Sequence, residues 1–381
     1  MKIPFNKPFI IGKELYYIKQ AVENGHISGD GAFTKKCHAF LEKNLKAKKI
    51  LLTTSCTAAL EMASVLCEID PGDEVILPSF TFPSTANAFY LRGAKLVFVD
   101  IRPDTLNIDE GKIENAITSR TKIIVPVHYA GVACEMDIII KIAKQHKLYV
   151  VEDAAQGVNA AYKNKYLGTI GDFGAFSFHE TKNYICGEGG AIVINNDKFI
   201  ERAEIIRDKG TNRSKFFRGE IDKYTWIDVG SSYLPSDLLA AFLYAQFKNM
   251  KEITLRRKEI YHTYLNGLVA LAKEGLLQLP IVPDCCKPNY HMFHIVVKNK
   301  TIRDDLLNYL SSKNIKAIFH YIPLHLSPVG GMLGYKVNQL PVTESISNRL
   351  LRLPFYYSLN KREQAEIIKE INRFFYKKHG K

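Results

Sequence analysis

Through the first two-thirds of the chain, short unbroken apolar runs alternate with longer stretches in which apolar residues recur every three or four positions. The runs at 74–78, 95–99, 122–127 and 148–152 are continuous rather than alternating in hydrophobicity, the pattern of strands buried on both faces. Between them, 58–68, 85–91, 111–117 and 137–146 have helical spacing. Strand and helix in repeated alternation predict a mostly parallel sheet sandwiched by helices. The stretch 249–274 is helical in character throughout and predicts a bridge to a second region. There a strand (291–297), a helix (302–312), a strand-like run (315–321) and a closing helix (361–377) follow. The predicted organisation is therefore α/β, with a large domain over 1–248 and a smaller C-terminal α/β domain over 249–381.

Composition narrows the class without changing this picture. With 46% hydrophobic and 24% charged residues in 381, the chain is neither disordered nor collagen-like. No run reaches the roughly 18 consecutive apolar residues of a membrane helix. The N-terminal Met1-Lys2-Ile3-Pro4-Phe5-Asn6-Lys7-Pro8 lacks the apolar core of a secretory signal, so a cytoplasmic chain with no membrane partner is expected. The seven cysteines are scattered, and the only close pair, Cys285-Cys286, is adjacent. Neither a disulfide framework nor a zinc ribbon has that spacing, and no metal site is expected. The net charge of +13 permits a polyanionic partner. The densest basic runs, 43–49 and 256–258, are mixed with helix formers and lack interleaved aromatics, so they read as solvated helix faces rather than a nucleic-acid surface. The surplus suits a small anion such as a nucleotide-linked substrate.

Three segments carry candidate chemistry. In Thr53-Thr54-Ser55-Cys56-Thr57-Ala58-Ala59-Leu60 a strand feeds small hydroxylated residues and then an Ala-rich helix. Ser55 or Thr57 thus falls at a helix N-terminus, either as an ordinary cap or as a phosphate cradle. In Val150-Val151-Glu152-Asp153-Ala154-Ala155-Gln156-Gly157, carboxylates directly follow a hydrophobic strand, at the sheet edge where open α/β folds bind ligands. Asp153 there can hold a protonated ring nitrogen or cap the strand end, and Gln156 can reach the same ligand. In Phe176-Ser177-Phe178-His179-Glu180-Thr181-Lys182-Asn183, a lysine sits just past a short aromatic strand, before Gly187-Glu188-Gly189-Gly190. A desolvated lysine has a lowered pKa and forms a Schiff base with an aldehyde. The glycines match neither the P-loop nor the dinucleotide fingerprint and predict a tight turn into a strand at 191–194. A phosphate cradle, an acid for a pyridine nitrogen and an amine for an aldehyde together fit pyridoxal 5′-phosphate.

With these segments the chain resembles the sugar-nucleotide aminotransferases of the DegT/DnrJ/EryC/StrS family, which have the fold type I architecture of pyridoxal-phosphate enzymes. The resemblance runs nearly end to end. It includes Gly72-Asp73-Glu74-Val75-Ile76, Pro78-Ser79-Phe80-Thr81-Phe82, Pro126-Val127-His128-Tyr129-Ala130-Gly131, Glu152-Asp153-Ala154-Ala155-Gln156, Ser177-Phe178-His179 with Lys182, and His320-Tyr321 with Pro323-Leu324-His325. It implies Lys182 as the Schiff-base lysine and proton shuttle, and Asp153 as the partner of the pyridine nitrogen. It also implies Gln156 at the ring, Phe82 stacked on it, and Ser55, Cys56, Thr57 and Ser177 around the phosphate. Implied partners are glutamate as amino donor, a dTDP-4-keto-6-deoxy sugar as acceptor and a second subunit in a homodimer. One departure stands out: where many relatives carry an Asn that reaches the partner's phosphate, this chain has Gly230-Ser231-Ser232-Tyr233-Leu234, so Ser232 or Tyr233 would have to serve. For substrate contact the candidates are His128, His179, His320, Tyr321 and His325, with Arg218 and Lys223 for the diphosphate. A branch of the family that dehydrates sugars has histidine in the lysine's place. Lys182 favours amino transfer, and the intact set Lys182, Asp153 and Gln156 disfavours a non-catalytic regulator. Whether the product amine is galactose- or glucose-configured depends on loop contacts that periodicity does not report.

Overall fold

A computed structural model describes residues 2–378; the outermost ends of the two expected domains, Met1 and 379–381, lie outside it. Among the described residues thirteen strands form: β1 (Lys49–Thr53), β2 (Glu74–Pro78), β3 (Lys95–Val99), β4 (Thr121–Ile124), β5 (Tyr149–Asp153), β6 (Ala161–Tyr162), β7 (Lys165–Tyr166), β8 (Phe173–Ser177), β9 (Gly190–Ile194), β10 (Leu277–Gln278), β11 (Cys286–Lys287), β12 (His294–Val297) and β13 (Leu350–Arg352). Seven of them make the central sheet in the order β1-β9-β8-β5-β4-β2-β3. The run from β8 to β3 is parallel, and β9 alone is reversed, antiparallel to both β1 and β8. β1 and β8 therefore point the same way, and the carboxyl ends of six strands share one edge with the start of β9.

The unbroken apolar runs are explained by burial from both sides. In β1, Ile50 and Leu52 face one core and Leu51 the other. β9 divides likewise, Ala191 and Val193 against Ile192 and Ile194. Helices Ala32–Leu45, Met136–His146 and Asp237–Lys248 pack on the first face, and Cys56–Leu66, Pro83–Tyr90 and Ile200–Arg207 on the second. A third core surrounds the small sheet β10-β12-β13. Phe293, Ile295 and Leu351 meet Tyr264 and Leu268 of helix Met250–Lys273, Leu306 of Lys300–Ser312 and Ile367 of Lys361–Lys378.

Two expected elements differ. The helix expected over 111–117 is a pair of 3-10 turns, Glu110–Lys112 and Glu114–Ala116. Asp109 caps the first, and Ile117 turns extended after the second, so the segment is too short to propagate a helix. The strand-like run 315–321 forms only isolated bridges, Ile3 with Ile315 and Ile318 with Arg352. Ile318, His320 and Tyr321 instead wall the cavity below.

Candidate active site

At the shared strand edge lies a cavity of about 620 Å³. The large sheet supplies Ser55, Cys56, Thr57, Thr81, Phe82, Thr85, Asp153, Gln156, Ser177 and Lys182; the C-terminal part supplies His291, His320, Tyr321 and Arg352 across from them. Parallel-sheet folds collect ligands at this edge because every strand-to-helix turn opens there. A larger open groove of about 970 Å³ at the start of β5 contains none of the candidate residues.

β1 ends at Thr53, and helix Cys56–Leu66 begins three residues on. Ser55 caps it, its Oγ accepting from Ala58 N at 3.0 Å. That leaves the first-turn N–H groups of Cys56 and Thr57 without an intrahelical acceptor, next to the positive end of the helix dipole. Gly190 makes this turn possible: a Cβ there would lie 2.4 Å from Cys56 N, so only glycine lets β9 start against it. Phe82, the residue before Pro83–Tyr90, is 60% exposed at the cavity wall.

Consecutive carboxylates at the end of β5 do different work, because successive strand residues face opposite sides. Asp153 faces the cavity. Its Oδ2 accepts from Thr85 Oγ1 at 2.7 Å and its Oδ1 from Ala155 N at 3.1 Å, while Thr81 Oγ1 lies 2.8 Å from Thr85 Oγ1. Glu152 points away and is fully buried. It accepts from the backbone N–H groups of Gly168, Ile170 and Gly171 at 2.8, 2.6 and 2.7 Å, and from His128 Nε2 at 2.9 Å. All four partners are donors, so an isosteric amide would set its own N–H groups against them. Glu152→Gln is therefore expected to destabilise the fold by roughly 3 kcal/mol or more, read as a lowered urea midpoint. A midpoint that does not move would show that the 168–171 turn does not depend on this carboxylate.

Lys182 lies in the loop between β8 and β9. Glu180 N donates to Gly187 O at 2.9 Å across that loop, and Gly187 turns it with φ +85°. The next residue, Asn183, is held from both sides: His291 Nδ1 lies 2.9 Å from its Oδ1, and its Nδ2 donates to Asn289 O at 2.8 Å. Burial drives the His291 imidazole well below its ordinary pKa, so it is neutral and donates through Nδ1. Burial also pulls the Lys182 ammonium below its usual range, with Cys56 and Asp153 opposing and Arg352 reinforcing the shift. Among the described residues Lys182 has no ion-pair partner, so nothing fixes it in the charged form.

The remaining candidates divide clearly. His179, His320 and Tyr321 line the cavity. Tyr321 Oη accepts from Gln156 Nε2 at 3.1 Å, and Gln156 Oε1 accepts from Ala130 N at 2.7 Å, leaving Gln156 one free N–H. His128 borders the cavity but is fully buried, with Nδ1 accepting from Cys134 N at 3.2 Å and Nε2 donating to Glu152. Neither ring nitrogen is left for a substrate; this histidine braces the sheet edge. His325 is buried behind the cavity between Ser79 Oγ (2.7 Å) and Glu344 Oε1 (3.1 Å). Arg218 pairs with Glu204 and Glu220 at 2.8 and 2.6 Å on the surface, and Lys223 is exposed; the chain brings neither to this cavity. Tyr233 O accepts from Thr54 N at 2.9 Å, which places the 230–234 run beside the turn that precedes Ser55.

Thr85, His291 and Arg352 escape a reading by motif. Thr85 is one more polar residue in a helix, and His291 is a lone histidine. Arg352 did leave a trace: in Leu350-Leu351-Arg352-Leu353-Pro354 it is the one charge in an apolar run.

A neutral-prone lysine, a buried acid and a free helix N-terminus around one cavity are the donor set that pyridoxal phosphate requires, and they define a pyridoxal-phosphate enzyme. The chain belongs to the DegT/DnrJ/EryC1/StrS aminotransferase family, whose pattern it matches over residues 8–372. SpsC of Bacillus subtilis (strain 168), a spore coat polysaccharide biosynthesis protein, is 34% identical across 97% of this chain and 96% of its own. The GDP-perosamine synthase of Escherichia coli O157:H7 is 31% identical across 98% of each. Spr1654 of Streptococcus pneumoniae, assigned as a sugar aminotransferase, is 25% identical over 98% of both chains. Its PMP form superposes with a TM-score of 0.91 and its PLP form with 0.90. The protein is a PLP-dependent sugar aminotransferase. Among the described residues no helix is long and apolar enough to cross a membrane.

Proposed function

We propose that the chain moves an amino group from L-glutamate to the 4-keto carbon of a dTDP-4-keto-6-deoxyhexose, giving dTDP-4-amino-4,6-dideoxygalactose for a cell-surface polysaccharide. The observation that carries amino transfer is Lys182 and Asp153 in one cavity with the free N-terminus of helix Cys56–Leu66. Bound pyridoxal phosphate would supply an electron sink for the electron pair left on the donor carbon when its proton is removed. Lys182 holds the cofactor's aldehyde carbon and moves that proton through Nζ. Asp153, fixed by Thr85 and Ala155, keeps the ring nitrogen protonated. The backbone at Ser55, Cys56 and Thr57, with Ser177, holds the phosphate, and Phe82 and Gln156 orient the ring.

The dTDP-galactose reading rests on Arg102-Pro103-Asp104-Thr105, Val132-Ala133-Cys134-Glu135-Met136-Asp137 and Lys209-Gly210-Thr211-Asn212-Arg213-Ser214, runs that resemble the transaminase making that product. The GDP-perosamine synthase relative favours a second reading in which the acceptor carries GDP. The epimeric dTDP-4-amino-4,6-dideoxyglucose is the rival product from the same keto sugar. The 209–233 segment exposes Phe217 (69%) and Trp226 (77%), apolar surface that a second copy covers in the proposed homodimer.

One preparation tests the set. Enzyme, PLP and L-glutamate are incubated with dTDP- and, separately, GDP-4-keto-6-deoxy sugars, and the species carrying activity is sized by sedimentation at micromolar concentration. A small coupling between the protons on sugar carbons 3 and 4 marks the axial amine of the galactose form. A large coupling overturns the configuration, turnover of the GDP sugar alone overturns the nucleotide, and a fully active monomer overturns the dimer.

A further inference from the structure

Cys285 and Cys286 lie outside the cavity, at the turn that leads into β11. Four of the seven cysteines, Cys37, Cys67, Cys134 and Cys186, are buried, and Cys56 borders the cavity. Cys285 and Cys286 are both half-buried, with their Sγ atoms 3.8 Å apart. The turn is closed by Cys286 N donating to Pro283 O at 2.8 Å. Lys163 N, between β6 and β7, donates to Cys285 O at 2.8 Å and ties the turn to that hairpin. The Ala133 amide hydrogen-bonds to the Cys286 sulfur, and burial pushes this thiol's pKa up. Three residues past Cys286, Asn289 is a fixed point of the cofactor site. Its Nδ2 donates to Gln156 O and Val158 O, both at 2.8 Å, and its backbone O accepts from Asn183 Nδ2 at 2.8 Å. Gly131 packs so closely that a Cβ there would lie 2.1 Å from Asn289 Oδ1. Asn289 thus holds the backbone of Gln156 and the side chain of Asn183, the neighbour of Lys182, and only Lys287 and Pro288 separate it from the cysteine pair.

A bridge between these two sulfurs would act as a switch rather than a staple. The 285–286 peptide is trans, and Cα atoms joined by a trans peptide are about 3.8 Å apart, below the roughly 4.4–6.8 Å usual for disulfides. Closing the ring therefore strains the peptide whose carbonyl holds Lys163, and it draws the Cys286 sulfur off the Ala133 amide. A disulfide strained in this way is readily reduced again by thiols. The matching oxidant is a low-molecular-weight disulfide, RSSR. Burial keeps Cys286 protonated, so Cys285 opens the exchange: its thiolate attacks one sulfur of RSSR and expels the first thiolate. Cys286 then gives up its proton and displaces the second thiolate from the mixed disulfide. The cysteine pair loses two electrons, RSSR gains them, and the two thiol protons end on two RSH. We propose that Cys285 and Cys286 form a reversible oxidation site for low-molecular-weight disulfides, and that closing the bridge loosens the hold of Asn289 on the cofactor site and slows amino transfer.

The test reads the sulfurs separately from the chemistry. PLP-loaded enzyme is incubated with glutathione disulfide at mildly alkaline pH, denatured, labelled with iodoacetamide and mapped by peptide mass. The peptide containing Cys285 and Cys286 should be lighter by two hydrogens and carry neither label nor glutathione, while the four buried cysteines all take the label. Oxidised holoenzyme mixed with L-glutamate and followed by the cofactor's absorbance should react about tenfold more slowly or worse, since an ångström of misplacement costs about 10²-fold. It should also lose cofactor faster on gel filtration, and dithiothreitol should restore both properties. Cys285→Ser, or Cys285→Ala should serine disturb the turn, should match the reduced parent and be unmoved by the oxidant. Cys286→Ser should stop at a glutathione adduct on Cys285. A pair that stays reduced, or a parent that keeps the glutathione adduct, overturns the site. A bridge that forms with rate and cofactor retention unchanged overturns its coupling to Asn289. Inactivation that persists without Cys285 would place the sensitive thiol at Cys56 and overturn the inference as well. If the reduced parent does not react with L-glutamate, the donor assignment falls instead, and the peptide masses with cofactor retention still decide the cysteine pair.

Discussion

Lys182→Ala is expected to reduce amino transfer by roughly four orders of magnitude or more, the largest effect of any single substitution in this cavity. Two tasks would converge on one Nζ, namely holding the cofactor's aldehyde carbon and, once released from it, moving the proton of the reacting carbon in each half-reaction. A positioned proton-transfer group alone is worth about 10²–10⁴-fold, and loss of the covalent attachment adds to that. The surroundings suit both tasks. Burial disfavours the ammonium, no ion pair among the described residues restores it, and the Asn183–His291 contact fixes the adjacent backbone. Lys182→Arg should fail as completely, because a guanidinium stays charged at any working pH. The depressed pKa gives the pH dependence its sign. Raising pH through it converts ammonium to amine, so cofactor uptake by the stripped enzyme should rise with pH and level off below the ordinary lysine value of about 10.4. Borohydride reduction of the yellow holoenzyme should leave the adduct on the peptide containing Lys182. An adduct on another lysine, or turnover within tenfold of the parent after Lys182→Ala, would remove Lys182 from the chemistry.

The parts of the site that could be read from the chain are those tied to strand ends. Asp153 ends one apolar run and Lys182 lies a few residues past another, and in a doubly covered sheet such runs can only be buried strands whose far ends meet at one edge. Ser55 was legible for the same reason, since a cap between a strand and an Ala-rich helix is a local event. What the pattern could not carry were partners joined only by tertiary packing. Thr85 reaches Asp153 across 68 positions, and Arg352 meets His320 only because β13 lies beside the 315–321 run. That run itself misled, since Ile315 and Ala317 face the third core while Ile318, His320 and Tyr321 face the cavity, so it is buried on two sides without pairing beyond isolated bridges. His128 was misleading in another way. Its place at a strand end is real, but its ring is consumed by Glu152 and Cys134, and only the fold shows that a histidine at a ligand edge can face away from the ligand.

Asp153→Asn isolates the electronic part of the mechanism from the structural part, because the two side chains have nearly the same shape. In the parent, Asp153 Oδ2 accepts from Thr85 Oγ1 and Oδ1 from Ala155 N. Asparagine can keep the Ala155 contact through its oxygen. The Thr85 hydroxyl, free to rotate, can accept from the new amide while donating to Thr81 Oγ1, 2.8 Å away. No buried group is stranded, so the melting temperature should stay within a few degrees of the parent. The charge, however, is lost. Without a carboxylate the ring nitrogen has no anion to hold its proton, and the ring accepts electrons less readily at the moment the donor carbon loses its hydrogen. That interaction strengthens in the transition state, so its removal should appear in kcat rather than KM. The expected fall in kcat is roughly 10³-fold, at the upper end of what a single preorganised electrostatic partner supplies. Thr85→Val, which leaves the carboxylate in place but removes one of the donors that aim it, should cost about tenfold, the scale of one hydrogen bond to a charged group. If Asp153→Asn instead turns over at near-parent rates while Thr85→Val lowers the melting temperature, Asp153 is a cap on the end of β5, and the acid that serves the ring must be sought elsewhere in the cavity.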